Sequence, residues 1–157
     1  MLLGKANLKS SREFMAIAMN LAARAFSKNE VPVGALVVLG NKVVGRGYNQ
    51  SITKVDPTAH AEILALRQAA RLVGNYRLTS ATLYSTLEPC AMCAGALVWA
   101  RISTLVYSAK DPKAGAIDSN INLLKRDGIN HKVSVVSGIL EDQSVDLLQR
   151  FFKLRRK

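Results

Sequence analysis

The stretch ATLYSTLEPCAMCAGALVWA, residues 81–100, joins a strand pattern directly to an apolar helix pattern. ATLYSTL predicts a strand, and CAMCAGALVWA predicts a helix that begins at Cys90. Pro89 suits the entry to that helix, where its missing N–H is no loss. This strand-then-helix unit is typical of an α/β domain, and it places Cys90 and Cys93 at the start of a helix.

The segments before this unit predict a helix, a hairpin and a second helix. A helix should run from Ser10 or Ser11 to about Lys28, with Ser10 and Glu13 spaced as in a capping box. The apolar runs 33–39 and 42–49 predict a hairpin, because Gly and Asn join them at positions 40 and 41. The second helix should run from positions 56–57 to about 73 and end at Gly-Asn.

The segments after it continue the alternation of strands and helices. Strands are predicted at 103–108 and 132–137, a short helix at 121–126 and a basic C-terminal helix at 141–157. We therefore expect one domain over residues 1–157, with residues 1–10 as a peripheral segment. Its fold class is α/β, a three-layer α/β/α arrangement around a central mixed five-stranded sheet.

The composition indicates a basic protein. Lys and Arg number 22 against 11 Asp and Glu, a formal net charge of +11, and this excess predicts a polyanionic partner. A basic surface without such a role is the alternative. No apolar run reaches the roughly 18 residues of a membrane span. No signal peptide is recognisable and only two cysteines occur, so we expect a cytoplasmic protein without a membrane partner.

The cysteine pair has three ordinary interpretations: a redox dithiol, half of a metal site, or two core residues. A helix start favours thiolates, because the N–H groups and the helix dipole stabilise negative charge there. Thiolates so placed are good zinc ligands, and His60, also expected near a helix start, is the natural third ligand. His131 lies in a predicted loop and is expected to be solvated.

Three protein ligands leave one coordination position free, which is typical of catalytic zinc. Water in that position would be activated as a nucleophile. Glu62, two residues after His60, is then placed to move protons without binding the metal. Taken alone, Glu62 is more simply interpreted as a carboxylate that favours a helix N-terminus; the HAE and PCAMC motifs together favour the proton-transfer role.

These residues match a known signature. HAE at 60–62 and PCAMC at 89–93 fit the HxE…PCxxC pattern of zinc-dependent nucleobase deaminases. The segments NEVPVGALVV (29–38), DPTAHAEILALRQAA (56–70), KDPKAGA (110–116) and FFKLRRK (151–157) further resemble the bacterial tRNA adenosine deaminases, within the cytidine and deoxycytidylate deaminase superfamily. The resemblance extends from about Ser11 to the C-terminus.

The resemblance implies a cytidine-deaminase-like fold, a homodimer and one Zn²⁺ per subunit, bound by His60, Cys90 and Cys93. It implies hydrolytic deamination of adenosine to inosine at the wobble position of a tRNA anticodon loop, with Glu62 as proton shuttle. The expected partner is the anticodon stem-loop, and DNA is not expected.

The resemblance also suggests substrate-binding residues. Asn49 would read the base, Pro32 and Val33 would shape the pocket wall, and Asp111 would approach the ribose. The complete expected set is Asn49, Pro32, Val33, Ala61, Leu87, Asp111, Lys110, Lys113, Phe152, Arg155 and Arg156. Ordinary alternatives are a turn at Asn49, a strand entry at Pro32, an Asp-Pro turn at Asp111 and a solvated basic tail.

Two other functions are compatible with parts of the sequence. A small-molecule deaminase acting on guanine, cytosine or a nucleotide would share the zinc site, but it would need neither the net charge nor the basic terminal helix. A non-catalytic, zinc-stabilised RNA-binding module would be basic but would not need Glu62 beside the metal.

Overall fold

A computed structural model describes residues 5–156, and the side chains from residue 10 onward. Its elements, in chain order, are α1 (Lys5–Ser27), β1 (Gly34–Leu39), β2 (Lys42–Tyr48), α2 (Ala61–Val73), β3 (Thr82–Leu87), α3 (Ala91–Trp99), β4 (Thr104–Ala109), a 3₁₀ turn (Leu123–Lys125), β5 (Ser134–Ser137) and α4 (Glu141–Arg155). None of the helices within this part of the chain combines the length and hydrophobicity needed to cross a membrane.

The five strands form one mixed sheet in the order β2-β1-β3-β4-β5. Strand β1 is antiparallel to both β2 and β3, whereas β3, β4 and β5 run parallel. The parallel strands therefore end at the same edge of the sheet, where α3 and the segment after β4 begin. The prediction of a mixed five-stranded sheet is confirmed.

Helices cover both faces of the sheet. On one face, Met15 of α1 packs with Leu36 and Tyr84. On the other, α2 and α3 contribute Ala65 and Leu97 to a larger apolar cluster. Strand β1 is buried on both sides, which explains why its sequence is continuously apolar rather than alternating. The predicted three-layer arrangement is confirmed.

Two glycines in β2 allow α2 to lie directly on the strand. A Cβ at Gly47 would be 2.2 Å from the carbonyl oxygen of Ala61, and one at Gly45 would be 2.2 Å from that of Ala65. No side chain fits at such separations, so only glycine permits this approach. Because Ala61 is the first residue of α2, the contact at Gly47 fixes the position of the helix start.

Three helix boundaries differ from the prediction. Helix α1 already includes Lys5, so Ser10 lies inside it and the predicted capping box is wrong; residues 1–4 of the expected peripheral segment lie outside the described part. Helix α2 begins at Ala61 rather than at 56–57. Asp56 Oδ1 instead accepts hydrogen bonds from the Thr58 amide and hydroxyl, at 2.8 and 2.7 Å, and such a local turn competes with a helix. The predicted helix at 121–126 is a single 3₁₀ turn.

Candidate active site

Three potential metal ligands meet where α2 and α3 begin. His60 is the N-cap of α2 and Cys90 is the N-cap of α3, both with extended backbone conformations. The Nδ1 atom of His60 lies 3.6 Å from the Sγ atoms of both Cys90 and Cys93. The ligand atoms of all three side chains lie within 4.8 Å of one another. The fold therefore brings together the histidine and the cysteine pair that the sequence analysis selected.

The spacing of these atoms fits a zinc ion. Zn–S bonds of about 2.3 Å and Zn–N bonds of about 2.0–2.1 Å at a tetrahedral angle place nitrogen and sulfur about 3.6 Å apart. The observed His60–Cys90 and His60–Cys93 separations have this value. One nitrogen and two sulfurs form a ligand set that zinc prefers. A fourth position would remain for a non-protein ligand.

The two thiols are already electrostatically unequal without a metal. Hydrogen bonding from the Cys93 thiol, together with His60, lowers the pKa of Cys90 to about 4. The pKa of Cys93 is raised, because its thiol donates to Cys90 and is buried. Contact with Cys90 also raises the pKa of His60. These shifts favour the thiolate form of Cys90, and metal binding would require the Cys93 thiol to lose its proton as well.

Glu62 is buried beside the ligands but does not belong to their group. Its side chain is 4% exposed, and the Ser85 hydroxyl donates to Oε1 at 3.3 Å. Burial raises the pKa of this carboxyl group, an effect that the nearby His60 opposes. A carboxylate in this environment accepts and releases a proton more readily near neutral pH than an exposed one does.

Asn49 connects the end of β2 to the start of α2. Its Oδ1 atom accepts the backbone N–H of Ala61 at 2.8 Å, and His60 makes no side-chain capping bond of its own. The carboxamide of Asn49 therefore caps α2 in place of the N-cap residue. Its NH₂ group remains a donor, so base recognition by Asn49 stays a prediction.

Glu88 organises the segment that follows β4, and the sequence analysis missed it. This side chain is 2% exposed and accepts four backbone N–H groups and the Ser119 hydroxyl; the amide donors are Asp111, Ile117, Asp118 and Ser119. These bonds lower the pKa of Glu88 despite the cost of burial. Gly115 packs so closely that a Cβ would lie 2.4 Å from the carboxylate. Since Glu88 precedes Pro89 and Cys90, it ties this segment to the ligand helix.

Glu30 holds the opposite loop in a similar way. It is 2% exposed and accepts the amide and hydroxyl of Thr53 at 2.7 and 2.9 Å. The amide of Ile52 donates to its other oxygen at 3.3 Å. This loop leads from β2 to His60. Each buried glutamate therefore fixes a chain segment next to a metal ligand, although neither motif spacing nor charge pattern distinguishes such anchors.

A cleft of about 580 Å³ with a mainly apolar lining lies at the end of β3, where Leu87 is one of its lining residues. Seven of its ten lining residues were expected to bind substrate: Leu87, Lys110, Asp111, Lys113, Phe152, Arg155 and Arg156. The other three, which sequence reasoning did not select, are Val31, Pro112 and Leu148. The fold thus places the KDPK segment and the C-terminal helix on one surface, which we call the α4 cleft.

The C-terminal helix presents two different faces. Phe151 is 4% exposed and packs edge-on against Phe26, whereas Phe152 is 43% exposed. Arg155 lies over the Phe151 ring at 4.6 Å and donates to the carbonyl of Asn29. Arg155 therefore helps to dock the helix, whereas Arg156 is exposed and lines the cleft. Lys157 lies outside the described residues.

The remaining expected residues are less accessible. Pro32 is buried, and Val33 and Ala61 are 3% and 0% exposed within the core.

Asp111 Oδ1 accepts the amides of Lys113 and Ala114, so the Asp-Pro turn exists whether or not the ribose is also contacted. His131 was expected to be solvated but is only partly exposed. Its Nε2 atom lies 2.7 Å from the carbonyl oxygen of Ile102.

Comparisons with known proteins agree with this site. A family model described as MafB19-like deaminase matches residues 9–156. A tRNA-specific adenosine deaminase of Haemophilus influenzae is 44% identical over 154 residues, covering 98% of this chain and 89% of the relative. One from Bacillus subtilis is 42% identical over 144 residues, covering 92% and 89%.

A solved structure from a study of A-to-I editing by tRNA:A34 deaminases at the wobble position of transfer RNA has a similar fold. It superposes with a TM-score of 0.85 at 43% identity, covering 87% of this chain and 99% of that one.

Proposed function

Because this chain belongs to the family of tRNA-specific adenosine deaminases, we propose that it converts adenosine to inosine at the wobble position of a tRNA anticodon. The observation that supports this most is the combination of a His-Cys-Cys ligand group with a buried carboxylate beside it. A purely structural zinc site has no use for that carboxylate, since its burial costs free energy.

The chain's own residues perform binding and proton transfer. His60, Cys90 and Cys93 would hold one zinc ion, which when bound activates water as a nucleophile at neutral pH. A carboxylate oxygen of Glu62 takes a proton from the attacking water and delivers it to N1 of adenine. The water oxygen bonds to C6 as N1 is protonated; Glu62 then takes the second proton from the new C6 hydroxyl group and passes it to the N6 amine as the C6–N6 bond breaks. Adenosine and water thus become inosine and ammonia.

Surrounding groups position the reactants for these transfers. The Ser85 hydroxyl lies 3.3 Å from Glu62 Oε1 and 2.7 Å from the carbonyl oxygen of Leu87, so it is a polar neighbour of the carboxyl group in the buried site. Burial of Glu62 keeps bulk water from competing for the proton. The NH₂ group of Asn49, whose oxygen is held by Ala61, would donate to an acceptor on the purine. The loops anchored by Glu30 and Glu88 enclose the site from two sides.

The α4 cleft supports RNA as the carrier of the base. It combines apolar side chains with four cations, Lys110, Lys113, Arg155 and Arg156. Such a lining suits nucleotides next to the reacting one, because bases pack on the apolar floor while phosphates meet the cations. A deaminase for free guanine or cytosine would have no need of this surface or of the net charge of +11.

The substrate class can be tested by comparing ligands of increasing size. Purified protein with stoichiometric zinc should form inosine from an anticodon stem-loop with a wobble adenosine, and none from the same stem-loop with that adenosine replaced by guanosine. Free adenosine, guanine and cytidine should react at least about 10³-fold more slowly, because they lack the flanking contacts. Faster reaction of a free base than of the stem-loop would indicate a small-molecule deaminase instead. A chelator should abolish the activity and zinc should restore it.

We further infer that the chain forms a homodimer through the exposed apolar side of α2 and α3. Trp99 is 75% exposed and Tyr76 64%, and both line an apolar groove of about 290 Å³. Apolar exposure on this scale is typical of an interface. The proposed substrate also implies a cytoplasmic location, since bacterial tRNA is cytoplasmic.

A further inference from the structure

A second cationic cleft shares no lining residue with the α4 cleft. It measures about 320 Å³ and is formed by β2, the following loop and the outer surface of α2. Its lining residues are Arg46, Gln50, Lys54, Leu64, Arg67, Gln68 and Arg71. We call it the β2–α2 cleft. Four of its seven side chains are cationic and none is acidic.

Little in the surrounding structure balances this charge. Asp56 reaches one of the cations, Arg67, at 3.9 Å, and it is also hydrogen-bonded to Thr58. Within residues 10–156, the side chains of Arg46, Lys54 and Arg71 make no ion pair and no hydrogen bond. Several unpaired cations around one depression repel one another, and a bound anion would relieve that repulsion.

The cleft is linked to the start of α2, which holds His60, through the backbone. Gln50 lines it and follows Asn49 in the chain, and the Gln50 amide donates to the Ala59 carbonyl at 3.0 Å. Ala59 is the residue before His60. The loop that lines the β2–α2 cleft is therefore bonded to the residue before His60, whereas the α4 cleft includes Leu87, which precedes Cys90 by three positions. Each cationic cleft is thus connected to an element that carries a ligand, and the backbone next to a nucleotide bound at the site can follow such a surface.

The lining indicates which part of a nucleic acid fits. Leu64 is the single apolar residue of the β2–α2 cleft and no aromatic ring lines it, so a base would find no stacking surface. Guanidinium and amide groups are instead good donors to phosphate oxygens. We propose that this cleft binds the phosphodiester backbone of the RNA substrate beside the nucleotide that enters the active site. The proposal rests on the proposed function, because that function supplies the RNA.

Removing the free charges tests this assignment. The triple variant R46Q/K54Q/R71Q leaves Arg67 and its contact with Asp56 intact. The plot of log K against log salt has a negative slope, and each lost phosphate contact reduces its steepness by about 0.7 for single strands and 0.9 for duplex. We therefore expect the plot for an anticodon stem-loop to become less steep by about 2 to 3 units. The Kd at low salt should rise, and the zinc content should stay unchanged.

A matched control separates a local contact from the general field of a basic protein. The variant K125Q/R126Q/K132Q removes the same three charges from a different cleft, beside β5. Its slope should change by less than about one unit. Equal losses in both variants, or no loss in R46Q/K54Q/R71Q, would overturn the proposal.

Two further measurements keep the result interpretable. R46K/R71K retains the charge and should keep most of the wild-type slope; a loss as large as that of R46Q/R71Q would also count against backbone binding. Inosine formation by the wild type is scored separately. If the wild type binds the stem-loop but forms no inosine, the proposed function fails, while the binding comparison still decides the role of the cleft.

Discussion

His60 and Glu62 differ in role because the first turn of a helix sends them in different directions. His60, as N-cap of α2, has an extended conformation and points its Nδ1 toward the two sulfurs. Glu62, one residue into the helix, is buried against Ser85. In the middle of a helix, side chains two positions apart point to different faces and could not share a site. At the helix start the same offset lets His60 join the ligand group while Glu62 lies beside that group, which is the arrangement that the proposed proton transfer requires.

Replacing Glu88 by Gln tests the anchoring role of that carboxylate. Gln substitutes an NH₂ donor for one acceptor oxygen, so some of the N–H groups that converge on Glu88 lose their partner. We expect the free energy of unfolding to fall by about 2–4 kcal/mol, the range for losing one or two hydrogen bonds to a buried charge. Denaturant unfolding measures this change. Glu13→Gln, at an exposed position, should shift stability by less than about 0.5 kcal/mol. An equally small effect of Glu88→Gln would contradict the role.

At the residue scale, the sequence predicts ligands better than anchors. His60, Cys90, Cys93 and Glu62 form a motif whose spacing has a chemical reason, and the structure brings the three ligands together. Glu88 has no such signal, since its partners lie 23 to 31 residues away in a loop. A buried carboxylate that satisfies distant amides can be recognised only once the chain is folded.

At the scale of elements, the contact between β2 and α2 sets the geometry of the site. Gly47→Ala places a methyl group 2.2 Å from the Ala61 carbonyl oxygen, which would push away the helix start that holds His60. We expect a loss of about 1–3 kcal/mol in unfolding free energy, as for other overpacked sites, and less zinc retained after dialysis.

Gly95→Ala, in α3, is the control for that substitution. A methyl group there meets nothing within 4 Å, so the variant should be neutral or more stable by up to about 1 kcal/mol, since Ala favours helix over Gly. Wild-type stability and zinc content in Gly47→Ala would show that the close approach does not matter.

The C-terminal helix offers a second test at this scale. Arg156→Gln removes an exposed cation of the α4 cleft, and the slope of log K against log salt for a stem-loop should fall by about 0.7. Arg150→Gln, on the same helix but paired with Asp146 and outside the cleft, should leave the slope unchanged. If the slope for Arg156→Gln were unchanged, the assignment of this face of α4 to the RNA-binding surface would be wrong.

The helices and strands could be predicted where the pattern of apolar residues is unbroken. The residues at which the helices begin were predicted less accurately. All five strands occur where apolar runs indicated them. The start of α2 was placed too early, because Asp56 and Thr58 form a turn in a segment that helix-start rules read as a cap. Helix α1 begins before the predicted cap, so Ser10 and Glu13 lie inside it. A Ser-x-x-Glu pattern is compatible with a helix interior as well as with a helix start, and the sequence alone does not distinguish the two.

At the scale of the whole molecule, the exposed apolar side of α2 and α3 predicts association. Trp99→Lys should convert a particle of two chains into one of a single chain in sedimentation equilibrium, because a charge would be buried at the interface. Leu154→Lys, at a residue 61% exposed on α4, is the control and should sediment as the wild type does. A Trp99→Lys protein of unchanged mass would exclude this surface.

The distribution of charge is also a property of the whole molecule. The net charge of +11 predicted a polyanionic partner, but not where it would bind. Folding gathers cations from separate segments into the α4 and β2–α2 clefts. Composition alone could not predict this, because the cations of one cleft lie as far apart in the chain as Lys110 and Arg156.

The most direct test of the central claim is the formation of inosine at the wobble position of a full tRNA by wild-type protein and by Glu62→Gln at equal zinc content. Glu62→Gln keeps the size of the side chain and the three ligands but cannot accept the proton from water. The wild type should convert the wobble adenosine, and the variant should be slower by about 10²- to 10⁴-fold while binding tRNA equally well. Equal conversion by Glu62→Gln, or no conversion by zinc-loaded wild type, would contradict the account.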